Sequence, residues 1–274
     1  MIGTHVTALL SLIAVLATLV VDVPAPAAAG CKVQKLAGRY GFLATGNAVS
    51  QSDTQPYASG GVLTFNVDGT LSLTGTQTLD GTVGPVNPNQ GNFTLDPVTC
   101  RGSATSNGQP FFDFVVVDKG EQINFIRSDL GVVITGLAKR VATKCKPKNV
   151  RGVFGYAFNA IVFNIPLNGN VIPEALFAGG GAVSLDGVGH AILDDTASFG
   201  GFVLQRHYEG TVTVNQDCTG SAVVTLPDNA PTSTNPVHID AVWVEKRDSV
   251  LLIQTDTGTF IAGEARKLKN VKAP

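Results

Sequence analysis

Short apolar runs alternate with tight-turn signals along most of the chain. The runs are rich in Val, Ile, Phe and Thr, and pairs such as Asp-Gly or Lys-Gly break them at intervals of about ten residues. These residue types favour β-strands, and Asp-Gly is a common two-residue hairpin turn. Beyond residue 29, no segment shows a sustained helical period. The pattern therefore predicts an all-β protein built from successive hairpins.

Each half of the chain contains one series of predicted strands. In the first half they span 38–45, 60–66, 70–77, 90–95, 100–106, 110–117, 121–128 and 132–140. In the second half they span 152–163, 180–186, 189–194, 202–209, 210–215, 219–226, 237–245 and 249–266, the last being interrupted at Asp256. Two longer segments, 46–59 and 164–178, are predicted as loops.

The two halves are copies of one sequence. Three blocks match in the same order: 31–42 with 145–156, 99–104 with 217–222, and 114–140 with 241–267. The longest block aligns without a gap, and Gly131, Ile134 and Gly136 are among its identically repeated residues. Because the three matches keep their order along the chain, we infer an internal duplication.

All four cysteines follow residue 29, and their spacing repeats with the duplication. Four cysteines allow three disulfide connectivities. Symmetry between the copies favours Cys31–Cys100 and Cys145–Cys218, in which each copy closes its own loop. The alternative is a lipid on Cys31, because residues 29–31 loosely resemble a lipoprotein processing site. That modification would leave Cys100 without its partner.

The first 29 residues resemble a secretory signal peptide. Residues 8–21 are uncharged and mostly apolar, and small residues at 27–29 provide a cleavage site. No Lys or Arg precedes the apolar run, so an uncleaved N-terminal anchor is the alternative. The run is shorter than the roughly 20 residues of a membrane-spanning helix. We therefore expect a secreted or periplasmic protein with no transmembrane span in the mature chain.

Successive strands joined by short turns are typical of a closed up-and-down barrel, which leaves no exposed edge. Two β-sandwiches are the alternative, but an immunoglobulin-like sandwich usually has a core Trp between its cysteines. The single Trp243 follows both cysteines of its copy. We expect two tandem antiparallel eight-stranded barrels, at 30–142 and 143–274, after a signal peptide at 1–29.

Composition narrows the class of partner. Hydrophobic residues make up 44% of the 274 residues, charged residues make up 15%, and the net charge is −2. So apolar a chain is not disordered, and without a basic excess we expect no nucleic-acid partner. The segments 111–117 and 250–253 are apolar on both strand faces, so their outer face needs a cover. We expect packing between the two copies or a homodimer.

Several motifs resemble a known type of secreted bacterial domain. They are CK at 31–32, GRYGF at 38–42, GGVLTFN at 60–66, CRGSA at 100–104 and FDFVVVD at 112–118. Domains of this type have no known role, and their fold is similar to the calycin-like barrels of allene oxide cyclase and dirigent proteins. The resemblance covers nearly all of both copies and implies a small barrel. No catalytic motif of allene oxide cyclase matches, so the resemblance implies no activity.

Few residues in the sequence indicate a catalytic, metal-binding or ligand-binding site. The chain lacks a Gly-x-Ser-x-Gly elbow, a His-Glu-x-x-His motif and a P-loop, so we expect no cofactor and no metal site. Asp113 and Asp240 stand at equivalent positions inside apolar strands. They are either a general acid or base or polar anchors of a ligand cavity, or else structural or solvent-facing acids. Tyr40 and Tyr156 either line such a cavity or fill the core. His238 shares a strand face with Asp240, or lies on the surface.

The sequence favours a binding function. A closed barrel without a catalytic signature predicts an exported module for a small apolar ligand, or an envelope or surface interaction protein. An isomerase or cyclase acting in an apolar cavity is one alternative, because such enzymes need few polar groups. A structural secreted protein held by its disulfides is the other.

Overall fold

The chain forms two β-barrels in a computed structural model that describes residues 30–49, 53–167, 170–225 and 236–271, with side chains described outside 164–173. The predicted signal peptide lies outside the described residues. A short helix, α1, spans Val33–Leu36, and 3₁₀ turns span Asp118–Gly120, Pro147–Asn149 and Glu245–Arg247. Over the described ranges, no helix has the length and apolar character needed to cross a membrane.

Barrel 1 is an antiparallel up-and-down barrel. Its strands are β1 (Gly38–Val49), β2 (Thr54–Phe65), β3 (Thr70–Leu79), β4 (Thr82–Pro85), β5 (Gln90–Leu95), β6 (Arg101–Ser106), β7 (Gln109–Val117), β8 (Gln122–Arg127) and β9 (Val132–Arg140). All except β4 pair in sequence order, and β9 returns to pair with β1, which closes the barrel. The short β4 forms a hairpin with β3 outside this ring.

Barrel 2 repeats this topology. Its strands are β10 (Gly152–Leu167), β11 (Asn170–Leu185), β12 (His190–Phe199), β13 (Phe202–Val214), β14 (Thr219–Thr225), β15 (Val237–Val244), β16 (Ser249–Gln254), β17 (Thr259–Phe260) and β18 (Ala262–Lys267). Here β18 pairs with both β16 and β10 to close the barrel, and the two-residue β17 adds to β10. The prediction of two closed eight-stranded antiparallel barrels is confirmed.

The structure also confirms both predicted disulfides. Cys31–Cys100 joins the segment before α1 to the residue before β6. Cys145–Cys218 joins the equivalent points of barrel 2. The Cys31 sulfur is therefore bonded to Cys100 in this structure, and a lipid on that atom is incompatible with it.

Both predicted long loops are wrong. Residues 46–59 contain the ends of β1 and β2, and residues 164–178 contain the ends of β10 and β11. These segments contain Asn, Pro and Gly, which form strands weakly by themselves. In β1, a glycine is needed at position 46 because the backbones of β1 and β9 approach closely. A Cβ atom on Gly46 would lie 2.0 Å from the Val133 carbonyl oxygen of β9.

The boundaries in the middle of barrel 2 also differ from the prediction. The predicted strands 202–209 and 210–215 are one continuous strand, β13, and β12 continues beyond residue 194 to Phe199. The predicted boundary between residues 209 and 210 falls at Gly210. This glycine lies inside β13, where a Cβ atom would be 2.6 Å from the Val223 carbonyl oxygen of β14.

The two barrels pack against each other through β1 and β2 on one side and β15 and β16 on the other. Gly41 permits this approach, because a Cβ atom there would lie 2.8 Å from Val242 Cγ1. At the junction, Val141 forms a β-bridge with Val244. The Ala142 N–H donates to the Trp243 carbonyl oxygen at 2.9 Å. The sister barrel therefore covers part of the apolar outer surface.

A buried lysine joins the barrels electrostatically. The side chain of Lys139, on β9 of barrel 1, is 1% exposed. Its Nζ lies 2.7 Å from Glu264 Oε1 and 2.9 Å from Glu245 Oε1, both in barrel 2. The Ser249 hydroxyl also donates to Glu264. Because the cation and its two acids come from different barrels, separating the barrels would leave buried charges uncompensated.

Candidate ligand-binding cavity

Aromatic side chains fill the interior of barrel 1. Phe65 contacts Phe93 with ring centroids 4.8 Å apart and Phe114 with centroids 5.5 Å apart, and Phe112 contacts Phe114 at 5.9 Å. The cavity bordered by Phe42 and Phe112 measures about 20 Å³. A space of that size holds about one water molecule, so it has no room for a ligand.

Barrel 2 has smaller side chains at the same positions. The strand register places Leu185 where barrel 1 has Phe65, and Val212 where it has Phe93. Four interior Phe residues are replaced in this way, namely Phe65 by Leu185, Phe93 by Val212, Phe112 by Ile239 and Phe114 by Ala241. Each replacement removes volume from the core, and the structure does not collapse to fill it.

The result is a cavity of about 170 Å³ inside barrel 2. Its apolar wall includes Val183, Leu185, Leu193, Val212, Ala222, Val224, Val237, Ile239, Ala241, Val250 and Leu252. An engineered apolar cavity of about 150 Å³ in another protein holds benzene and stays free of water. The cavity of barrel 2 is therefore large enough for a small apolar molecule.

A charged pair lies in the wall of this cavity. Asp195 on β12 and Arg206 on β13 are cross-strand partners, and their side chains are 2% and 10% exposed. Arg206 donates from Nε to Asp195 Oδ1 at 2.8 Å and from its NH2 group to Oδ2 at 2.6 Å. The Tyr156 hydroxyl donates to the same Oδ2 at 2.8 Å. Both carboxylate oxygens are thus bound, and the two charges compensate each other.

Space for Asp195 comes from the opposite strand. Asp195 pairs with Gly181, just as Gly75 pairs with Gly61 in barrel 1. A Cβ atom on Gly181 would lie 2.6 Å from Asp195 Cα. A glycine at this position therefore lets β11 and β12 approach closely beside the charged pair.

Two polar side chains in the cavity wall have no hydrogen-bond partner among the described residues. Tyr208 is 3% exposed and Trp243 is 1% exposed. Among the described residues, Tyr208 Oη and Trp243 Nε1 belong to the few buried side-chain atoms with no hydrogen bond. Burial is the main cause that raises the pKa of Tyr208 and the pKa of Tyr156 above the ordinary range. Both phenols therefore stay protonated and can donate.

Three rings cover one end of the cavity. Phe177 and Phe199 stack with centroids 4.1 Å apart, and Phe158 meets Phe177 at 5.3 Å. Arg206 Cζ lies 5.1 Å from the Phe177 ring centroid and 5.0 Å from the Tyr208 ring centroid. These ring contacts and the hydrogen bonds to Asp195 together fix the position of the guanidinium.

Of the five residues predicted from the sequence to bind ligand, the structure places Tyr156 in the cavity wall. Tyr40 is in the core of barrel 1, where its single hydroxyl proton is shared between the carbonyl oxygens of Leu36, at 2.9 Å, and Gly120, at 2.8 Å. Arg140 Cζ lies 4.6 Å from the Tyr40 ring centroid. Burial raises the pKa of Tyr40 to about 12. These contacts join α1 to barrel 1.

The other three predicted residues lie outside the cavity. Asp113 is exposed on β7. Asp240 is on the outer face of β15, where it accepts a hydrogen bond from the Thr76 hydroxyl of barrel 1 at 2.8 Å. His238 Nδ1 lies 2.7 Å from Asp256 Oδ1. Across the described ranges, no three His, Cys, Asp or Glu side chains are grouped to hold a metal ion.

Sequence reasoning missed Asp195, Arg206 and Tyr208, and interpreted Trp243 only as evidence about the fold. The sequence nevertheless contains a pattern that indicates these residues. Comparing the two copies at interior positions shows Phe replaced by smaller residues along several strands, and Asp195 standing where the other copy has Gly75. That comparison requires the strand register, because Gly75 and Asp195 lie between the matching sequence blocks, in stretches that the sequence alone does not align.

No protein-family model matches this chain, and no curated protein matches it. Among solved structures it is similar to a protein of unknown function from the DUF3598 family of Nostoc punctiforme, at 9% identity and a TM-score of 0.27, covering 86% of this chain and 97% of that one. It is also similar to the isotype 1 transferrin binding protein B of Neisseria meningitidis, at 9% identity and a TM-score of 0.33, covering 78% of this chain and 52% of that one. A mutant of transferrin binding protein B from Haemophilus parasuis gives 9% identity and a TM-score of 0.27, covering 85% and 76%. Similarities at this level carry no argument about function.

Proposed function

We propose that this chain is an exported binding protein whose second barrel holds a small apolar ligand. The observation that carries the proposal is the contrast between the barrel interiors. The cavity in barrel 2 measures about 170 Å³, against about 20 Å³ in barrel 1. The two barrels share topology and sequence, so the difference comes from side-chain identity at matched positions.

An empty apolar cavity is energetically costly. In a well-studied series, cavities of this kind destabilise a fold by about 24 cal/mol for each Å³ of residual volume. A ligand restores the dispersion contacts that the missing rings would have made. Barrel 1, with its filled core, provides no such site and supports barrel 2 through the shared interface. The cavity is therefore better explained as a binding site than as a packing defect.

Export is the second part of the proposal. Two structural disulfides are typical of proteins that fold in an oxidising compartment. The signal-peptide pattern at 1–29 supports the same location. Release of residues 1–29, measured as the N-terminus of the mature protein, tests this part.

The binding test compares the wild type with Ala241→Phe, which adds the ring that Phe114 supplies in barrel 1. Protein is purified from its own host without denaturant, weighed by native mass spectrometry, and extracted into organic solvent. We expect the wild type to carry a small molecule and the variant to carry little or none. Val212→Phe, which corresponds to Phe93, serves as a second cavity-filling variant if Ala241→Phe does not fold.

Val203→Phe is the matched control for this test. It adds a ring of the same size at a side chain that is 67% exposed and outside the cavity. Its bound ligand should equal that of the wild type. Equal ligand in the wild type and in both cavity-filled variants would overturn the proposal.

A surface-interaction function is the second candidate. Leu176, Phe202 and Val203 are large apolar side chains exposed by 73%, 60% and 67%. The Gly200 N–H donates to the Leu176 carbonyl oxygen, so these residues are close together at one end of barrel 2. Exposed apolar groups of this kind often mark contact surfaces. If this surface carries the function, the Phe202→Ser, Val203→Ser double variant should no longer be found in the envelope fraction of the host. Its small-molecule content should stay equal to that of the wild type.

A further inference from the structure

We infer that the ligand of barrel 2 is a neutral molecule with an apolar body and a hydrogen-bond-accepting oxygen, such as a carbonyl or ether oxygen. This inference rests on the proposed binding function and specifies the chemistry of the same cavity.

Neutrality follows from the charges in the cavity wall. Asp195 and Arg206 bind each other through two hydrogen bonds, so neither has a net charge to offer a ligand. The other charged residue in the wall, Glu264, accepts from Lys139, Ser249 and Arg266. A charged ligand would be buried among apolar side chains without a counter-ion, which is strongly unfavourable.

The accepting oxygen follows from the unpaired donors. Among the described residues, buried side-chain atoms without a hydrogen bond are Thr78 Oγ1, Tyr208 Oη and Trp243 Nε1, and Tyr208 and Trp243 are residues of this cavity wall. Such groups are rare in folded proteins because each one costs free energy. An indole N–H can only donate, and a protonated phenol donates as well. An acceptor on the ligand is therefore the group that satisfies them.

The volume of the cavity restricts the class of ligand further. A cavity of about 170 Å³ is slightly larger than the cavities of about 150 Å³ that hold benzene. A single substituted six-membered ring fits this volume. Acetophenone, which has a carbonyl oxygen, and cumene, a hydrocarbon of nearly the same shape, form a matched pair of test ligands. Benzoate adds a charge to the same framework.

The experiment measures the affinities of acetophenone, cumene and benzoate by isothermal titration calorimetry. The readout is the ratio of acetophenone affinity to cumene affinity, which cancels most of the shape contribution. We expect this ratio to fall about tenfold in Tyr208→Phe or in Trp243→Phe, because a buried hydrogen bond is lost. Benzoate should bind more weakly than acetophenone in every variant.

Tyr57→Phe is the control, because it removes a phenol hydroxyl from barrel 1, where Tyr57 donates to Gln77. It should leave the ratio unchanged. An unchanged ratio in both Tyr208→Phe and Trp243→Phe, or tighter binding of benzoate than of acetophenone, would overturn this inference but leave the binding function in place. Failure of the wild type to bind either acetophenone or cumene would instead count against the binding function itself.

Discussion

Asp195 occupies the position at which barrel 1 has Gly75, and it introduces a carboxylate into a mainly apolar interior. Such a group is tolerated because Arg206 and Tyr156 bind both of its oxygens. A buried pair of this kind does not necessarily stabilise a fold, but losing one partner is costly. At the residue scale, the buried charge of Asp195 is therefore tolerated only because Arg206 and Tyr156 bind it.

Asp195→Asn should therefore destabilise barrel 2. The variant leaves the Arg206 guanidinium buried without a counter-charge, which lowers the free energy of unfolding by about 3 kcal/mol. Urea denaturation followed by circular dichroism measures this change. Asp194→Asn is the matched control, because Asp194 is the neighbouring acid and its side chain is 69% exposed. A similar loss in both variants would contradict the assigned role of the buried pair.

At the scale of strands, sequence patterns were sufficient for the hairpin order but not for strand lengths. Alternating runs bounded by Asp-Gly turns located most strands of both barrels. The errors fell on segments that contain Asn, Pro and Gly, because weak intrinsic strand preference is overridden when neighbouring backbones pair closely. Gly46 and Gly210 are such positions.

Errors in strand length also explain why most residues of the candidate site were not predicted. The predicted strand 189–194 ends one residue before Asp195, so the register that pairs Asp195 with Arg206 was not available. Tyr156 was found because the matching block at 145–156 exposes its exchange with Phe42. Sites built from cross-strand pairs therefore need correct strand ends, which local patterns do not provide.

Gly181→Ala should prevent the close approach of β11 to β12. The new Cβ atom would lie 2.1 Å from the Asp194 carbonyl oxygen and 2.6 Å from Asp195 Cα, both backbone atoms that cannot rotate away. We expect the free energy of unfolding to fall by about 3 kcal/mol, at the upper end of overpacking costs. Thermal unfolding detects this loss. Gly84→Ala, which meets no atom within 4 Å, should be nearly neutral. Equal melting temperatures for the two variants would refute the steric explanation.

At the scale of the whole molecule, two barrels of one topology share an interface and differ inside. The interface combines apolar contacts, a β-bridge at Val141 and the charges around Lys139. Because Lys139 comes from barrel 1 and Glu264 from barrel 2, protonation of Glu264 affects the contact between both barrels. The assembly should therefore be sensitive to acid.

Stability should fall as the pH is lowered. Burial alone would raise the pKa of Glu264, but hydrogen bonds from Lys139 and Ser249 and the charge of Lys139 outweigh it and hold the pKa below its ordinary value of 4.5. A lowered folded-state pKa means that the contribution is present above the unfolded-state value and is lost as the pH falls through the folded-state value. Urea unfolding between about pH 5 and about pH 3 measures the slope. Glu264→Gln should flatten it, whereas Glu174→Gln, at an exposed position, should not. A slope unaffected by Glu264→Gln would remove this residue from the explanation.

Trp243 combines two locations that are usually separate. Its indole lines the cavity, while its carbonyl oxygen accepts the hydrogen bond from Ala142 at the junction of the barrels. It is also the single tryptophan of the chain. Intrinsic fluorescence therefore comes from one defined position, without an added label. A ligand that bonds to Nε1 shifts the emission of the folded protein, and unfolding of barrel 2 exposes the same ring to quenchers in solution. Occupancy of the cavity and unfolding of barrel 2 can thus be followed optically in one sample.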